Sequence, residues 1–216
     1  MSFLDKVTYG NLTLEYKEAA EKDDLSSRKL KELDLYDDLF NHPPPNNSSK
    51  TTLEELKSVV RLIANTTKQE LKFCKLAEND HLQLFMDLLD KHNITDTRKE
   101  DLNRITSELD PINYRLKNHY NRPRPYQLAH YYKLDLHIPI TTNQIDHPAY
   151  PSGHALEGYV LSHLLAAKYP QHKKELLRLG KNIGLSRLHI GVHYKSDYDF
   201  GVYLGKIIID NKLMKL

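Results

Sequence analysis

Residues 150–170 read YPSGHALEGYVLSHLLAAKYP, and their interpretation decides the fold. From about Ala155 the run is densely apolar, too long for a strand and stopped by Pro170, so it predicts a buried helix. Ser152 is a natural N-cap for that helix. A small hydroxyl, a glycine and the first amides of a helix together form an anion cradle, because unpaired N–H groups and the positive end of the helix dipole converge there. A cap followed by a turn glycine would explain Ser152 and Gly153 equally well, but it leaves His154 unexplained.

Helical signals extend outward on both sides. Upstream, three Thr-x-x-Glu patterns predict capping boxes at Thr52–Glu55, Thr67–Glu70 and Thr97–Glu100, each followed by apolar residues at three-to-four spacing. Asp110 and Pro111 suit an N-cap and first helical position for a helix carrying Ile112, Leu116 and Lys117. Downstream, KKELLRLGKNIG predicts a helix with glycines near its end, and GVYLGKIIID a buried terminal helix. The fold class is therefore all-α. Residues 1–50 read as an N-terminal helical element, with Leu30, Leu33, Leu35 and Leu39 among charges, running into the loop HPPPNNSSK; residues 51–216 form the main helical domain.

Composition narrows the function. The 216 residues carry 31 Lys plus Arg against 29 Asp plus Glu, a net charge of +2 that argues against a nucleic-acid or membrane polycation. A mean hydropathy of −0.63 and the lack of any apolar run near the 18 or so residues that a bilayer requires predict a soluble protein without a transmembrane segment. The first residues show no basic-then-apolar secretory pattern, which makes the cytoplasm the expected compartment. Cys74, the single cysteine, lies among apolar neighbours and reads as a buried structural thiol, so neither a disulfide nor a thiolate metal cluster is expected.

Two further segments concentrate reactive residue types. In Lys117-NHYNRP-Arg124-Pro125, the prolines place Lys117 in a last helical turn and Arg124 on the stiff segment that follows. In Ser186-Arg187-LHIGV-His193-YKS-Asp197, Arg187 offers a planar fork matched to phosphate oxygens. A carboxylate four residues after His193 can fix its tautomer and leave the other ring nitrogen free to attack an electrophile. His189 competes for that role. Asp146 and His147 read as solvated loop residues, and Tyr114 and Tyr120 as packing between helices.

In order along the chain, K-x6-R-P, P-S-G-H and S-R-x5-H-x3-D resemble the tripartite signature of the type 2 phosphatidic acid phosphatase (PAP2) superfamily. That group also holds the soluble class A acid phosphatases, the nearest in character, and the vanadium-dependent haloperoxidases. The resemblance covers about residues 117–205; GVHYKSD carries Lys195 where the family commonly has proline. It implies a helical bundle of the PAP2/haloperoxidase type, here with an N-terminal helical extension.

The resemblance also implies site roles. Lys117, Arg124 and Arg187 would hold phosphoryl oxygens, with Ser152 and the Gly153 amide adding neutral donors. His193 would form a phosphohistidine, Asp197 would orient it, and His154 would protonate the leaving alkoxide and later activate water. The expected activity is phosphomonoester hydrolysis without a metal or other cofactor, on a small phosphorylated substrate and with no nucleic acid; vanadate would act as an inhibitor. The alternatives are a haloperoxidase with vanadate as cofactor and a non-catalytic phosphate-binding helical protein. A homo-oligomer is compatible with either reading.

Overall fold

The computed structural model describes residues 2–8, 30–31, 34–142 and 146–216. Among them there is no strand, and the all-α class holds. Among the described residues from Lys50 onward, seven α-helices follow one another: α1 (Lys50–Asn65), α2 (Lys68–Lys91), α3 (Lys99–Tyr120), α4 (Pro125–Ala129), α5 (Gly153–Lys168), α6 (Lys173–His189) and α7 (Lys195–Asp210). No helix among the described residues is long and apolar enough to cross a membrane.

Helix α5 sits at the centre because its sequence is apolar on nearly every face, so neighbours must cover it all round. It packs against α6 and α7, with α3 alongside, while α2 and α1 lie on α6. Leu156, Val160, Leu161 and Leu165 of α5 meet Leu102, Ile105, Leu109, Ile112 and Leu116 of α3, a stripe at helical spacing, in one core. The α5–α6 crossing is close enough that a Cβ on Gly158 would fall 2.5 Å from the Gly180 carbonyl oxygen, and one on Gly180 would fall 2.1 Å from that of Gly158. Gly180 and Gly184 are therefore contact residues inside α6 rather than its stop signal, and the helix runs on through Arg187 to His189.

Only one of the three expected capping boxes forms as read, at Thr67–Glu70. Ser49 caps α1, with its hydroxyl accepting from Thr52 N at 3.1 Å, because the helix starts one turn earlier than the Thr52 pattern suggested. At α3 the box is closed by Asp101. Thr97 there bonds the Tyr169 hydroxyl at 2.6 Å. Asp110 and Pro111 do not start a helix; both lie inside α3, whose apolar stripe continues unbroken past the proline. The terminal segment is the expected helix, α7. Cys74 is buried, and burial pushes its thiol up to about 11.

Of the N-terminal element expected over 1–50, residues 1, 9–29 and 32–33 lie outside the described residues. The described parts are 3₁₀ turns at Leu4–Lys6 and Asp38–Asn41, and Leu30 and Leu39 are buried in the main core. Helix α2 breaks at Asp80, whose backbone is extended (φ −164°) and whose carboxylate accepts from Gln83 N at 3.0 Å, recapping the second half of the helix. The break directs Ala77, Glu78 and His81 toward the same region of the molecule.

Candidate active site

The three motifs, separated by up to 80 positions, converge on one cavity of about 340 Å³. Lys117, Gly153, His154, Arg187 and His193 line it, while Arg124, Ser152 and Asp197 stand directly behind this wall. His189 stays outside, with Nδ1 3.0 Å from Thr66 Oγ1.

Lys117 occupies the last turn of α3, which ends at Asn121 in the left-handed conformation (φ 44°). Its ammonium donates to the carbonyls of Pro148 (2.9 Å) and Pro151 (2.5 Å), so one of its three protons remains for a ligand in the cavity. Burial and the neighbouring Arg124 hold it well below the usual ammonium range. Arg124 is the N-cap of α4, fixed by Pro125 at the first helical position, and its guanidinium donates to the His147 and Val192 carbonyls at 2.9 and 2.8 Å.

His193 has a defined tautomer. Nη1 of Arg124, which can only donate, lies 3.0 Å from His193 Nε2, so that nitrogen presents a lone pair. The proton is then on Nδ1, 3.0 Å from Asp197 Oδ2. Burial, then Arg124, holds the ring well below the ordinary imidazole value, so it is neutral at pH 7. The same Asp197 oxygen accepts from Tyr194 N at 2.9 Å and caps α7. Lys195 takes the first position of that helix, where proline is favoured, so the substitution leaves the turn intact.

His154 follows Ser152, the N-cap of α5, whose hydroxyl accepts from Ala155 N at 3.4 Å. Its Nε2 lies 3.3 Å from the Ala77 carbonyl, and burial together with Arg187 keeps it neutral. At Gly153 a Cβ would approach Asn113 Nδ2 to 3.0 Å, so the absence of a side chain keeps the cavity floor open.

Several site residues carried no local signal in the sequence. Arg122 is buried and donates through Nη1 to Asp197 Oδ1 at 2.5 Å and Ser196 Oγ at 2.7 Å, and through Nη2 to Glu55 at 3.1 Å. Its guanidinium lies 3.8 Å over the Tyr194 ring. Glu78 is paired with Arg187 and accepts from Thr142 Oγ1. His81 Nε2 lies 2.7 Å from Glu157 Oε2. The reading of His147 as a solvated loop residue is corrected: it lines the cavity, with Nδ1 2.7 Å from Arg124 Nη2. Tyr114 also lines the cavity, whereas Tyr120 packs edge-on against Tyr150. Asp146 is exposed.

Residues 106–209, which contain all three motifs, match the family described as the PAP2 superfamily. Over this segment the chain is similar to that superfamily. It is 34% identical over 91 residues to a non-specific acid phosphatase of Salmonella typhimurium, an overlap of 42% of this chain and 36% of the relative. It is also 33% identical over 102 residues to an acid phosphatase of Zymomonas mobilis, covering 45% and 36%. The matched region thus spans about a third of the length of these curated relatives.

Proposed function

We propose that the protein hydrolyses phosphomonoesters through a covalent phosphohistidine on His193. The observation that carries this reading is the polarisation of His193, with Asp197 on the protonated nitrogen and Arg124 against the lone pair of the other. Arg124 can pass its donor from Nε2 to a phosphoryl oxygen as that nitrogen bonds to phosphorus. The names of the acid phosphatase relatives agree with this chemistry.

In the first step the substrate binds as its monoanion and hands its proton to His154; Nε2 of His193 then attacks phosphorus, the bond to the ester oxygen breaks, and His154 passes that proton to the departing alkoxide. In the second, His154 takes a proton from water, the oxygen attacks the phosphohistidine, and inorganic phosphate leaves with Nε2 restored. Lys117, Arg124 and Arg187 face the charge on the three equatorial oxygens, with Ser152 and the Gly153 amide adding neutral donors. These fixed cations supply the stabilisation that other phosphoryl-transfer sites draw from Mg²⁺, so turnover requires no metal.

The test is turnover of p-nitrophenyl phosphate with trapping of the intermediate. Wild type is expected to yield an acid-labile, base-stable phosphoenzyme, to be inhibited by orthovanadate and to keep its activity in EDTA. His193→Ala should abolish turnover while still binding phosphate. A His193→Ala variant with wild-type turnover overturns the assignment.

A further inference from the structure

The cavity carries two kinds of wall. Beside the cationic residues the same cavity is lined by Asp110, Asn113, Tyr114 and Glu157, none of which the hydrolytic steps above require. Asp110, Asn113 with Tyr114, and Lys117 occupy successive turns along one face of α3, so roughly 10 Å of helix axis separates Asp110 from Lys117. Glu157 lies one turn beyond Gly153 and His154 on α5 and is held by His81 at 2.7 Å.

Two features of this wall bear on the ligand it would take. Asn113 is 4% exposed, yet its Oδ1 is buried without a hydrogen-bond partner while its side chain borders the cavity. An orphaned buried acceptor costs free energy that a ligand's donor would recover. Asp110 is raised to about 6, by burial first and then by the charge of Glu157, which His81 offsets only in part, so the pair of carboxylates favours a further cation. A hydroxyl would satisfy Asn113 but would not relieve the charge. An ammonium does both, offering three donors to Asp110, Asn113 and Glu157.

We propose that this wall is a leaving-group subsite that selects phosphoesters of short amino alcohols, with the phosphoryl group on the cationic side and the ammonium between Asp110, Asn113 and Glu157. The proposal rests on the phosphatase reading and names the substrate class for that same site.

The experiment compares kcat/KM for O-phosphoethanolamine, glycerol 3-phosphate and n-propyl phosphate, in wild type and in Asp110→Asn and Glu157→Gln. Wild type is expected to prefer phosphoethanolamine over propyl phosphate by about tenfold or more, the discrimination that one charge-assisted hydrogen bond provides. That ratio should fall toward unity in Asp110→Asn and Glu157→Gln. Glycerol 3-phosphate used as well as phosphoethanolamine, or a ratio that neither variant changes, overturns the subsite while turnover of propyl phosphate leaves the phosphatase reading standing. No turnover of any of the three overturns both.

Discussion

Arg122 and His193 do not touch, yet they share Asp197: Arg122 Nη1 lies 2.5 Å from Oδ1, and His193 Nδ1 lies 3.0 Å from Oδ2. The carboxylate that orients the imidazole is itself held by a buried cation, which Glu55 and Ser196 hold in turn.

Arg122 is thus a positioning residue, and its loss should act in two separable ways. Arg122→Ala leaves the buried Asp197 carboxylate without its cation, and is expected to cost about 3–5 kcal/mol of stability, read in a denaturant melt. Arg122→Lys keeps the charge but loses the fork that spans Asp197 and Glu55. It should lower kcat by up to about 100-fold with little change in KM, through tilting of the ring. A loss of stability without a kcat effect in Arg122→Lys would reduce Arg122 to a purely structural role.

The depressed histidines set the pH–rate profile. The proposed attack requires a neutral His193, and burial followed by Arg124 holds its ring well below the ordinary imidazole value. His154 is also neutral in the free protein, so the proton for the alkoxide must arrive with the substrate, whose second phosphate pKa is about 6. For an alkyl ester such as propyl phosphate, kcat/KM should therefore be highest in acid and decline as pH rises above about 6. A profile that climbs steadily from pH 5 to 8 would contradict this assignment of the proton.

Stability should respond to pH in two opposed directions. His154 and His193 have lowered pKa values in the fold, so what they contribute is present above the unfolded value near 6.5 and is lost as pH falls, because unfolding releases rings that can then protonate. Asp110 is raised to about 6, so its contribution is present below the unfolded value near 4 and is lost as pH rises through about 6. Asp110→Asn removes only the second effect. Its Tm relative to wild type should therefore improve between pH 5 and pH 8; a constant difference across that range would mean that Asp110 is not strained in the fold.

Gly180 offers a test of packing remote from the chemistry. Alanine would normally favour a helix interior by roughly 0.5–1 kcal/mol. Here its methyl would fall 2.1 Å from the Gly158 carbonyl oxygen. Gly180→Ala is expected to destabilise by about 1–3 kcal/mol through overpacking of the α5–α6 crossing. A rise in Tm would show that the two helices can separate freely.

What the sequence disclosed tracks how local each determinant is. The central helix, the N-cap at Ser152, the stop at Pro170 and the exit of the chain after Lys117 all depend on neighbours within a few residues, and these match the structure. The start of α3 was misplaced because Asp110-Pro111 carries a strong local start signal, while the stripe from Leu102 to Leu116 continues through it and is buried against α5. The reading of Gly180 and Gly184 as glycines of a helix end failed likewise, since only the approach of Gly158 to the first, and of Tyr198 and Ala155 to the second, explains why glycine stands there. The partners of the motif cations were not legible at all. Glu55 reaches Arg122 across 67 positions and Glu78 reaches Arg187 across 109, and as sequence each is an ordinary acidic residue on a helix.

Those two carboxylates lie on α1 and α2, outside the stretch that matches the PAP2 family. Residues 106–209 therefore contain the reactive groups but only part of the counter-charge of two interior guanidinium groups, since Arg122 keeps Asp197 alone and Arg187 loses Glu78. Cut back to that stretch, the chain would have to bury Arg122 without Glu55 and Arg187 without Glu78, and the pocket would repel itself apart. The motif-free first half of the protein is what allows so much positive charge to be gathered in one dry place.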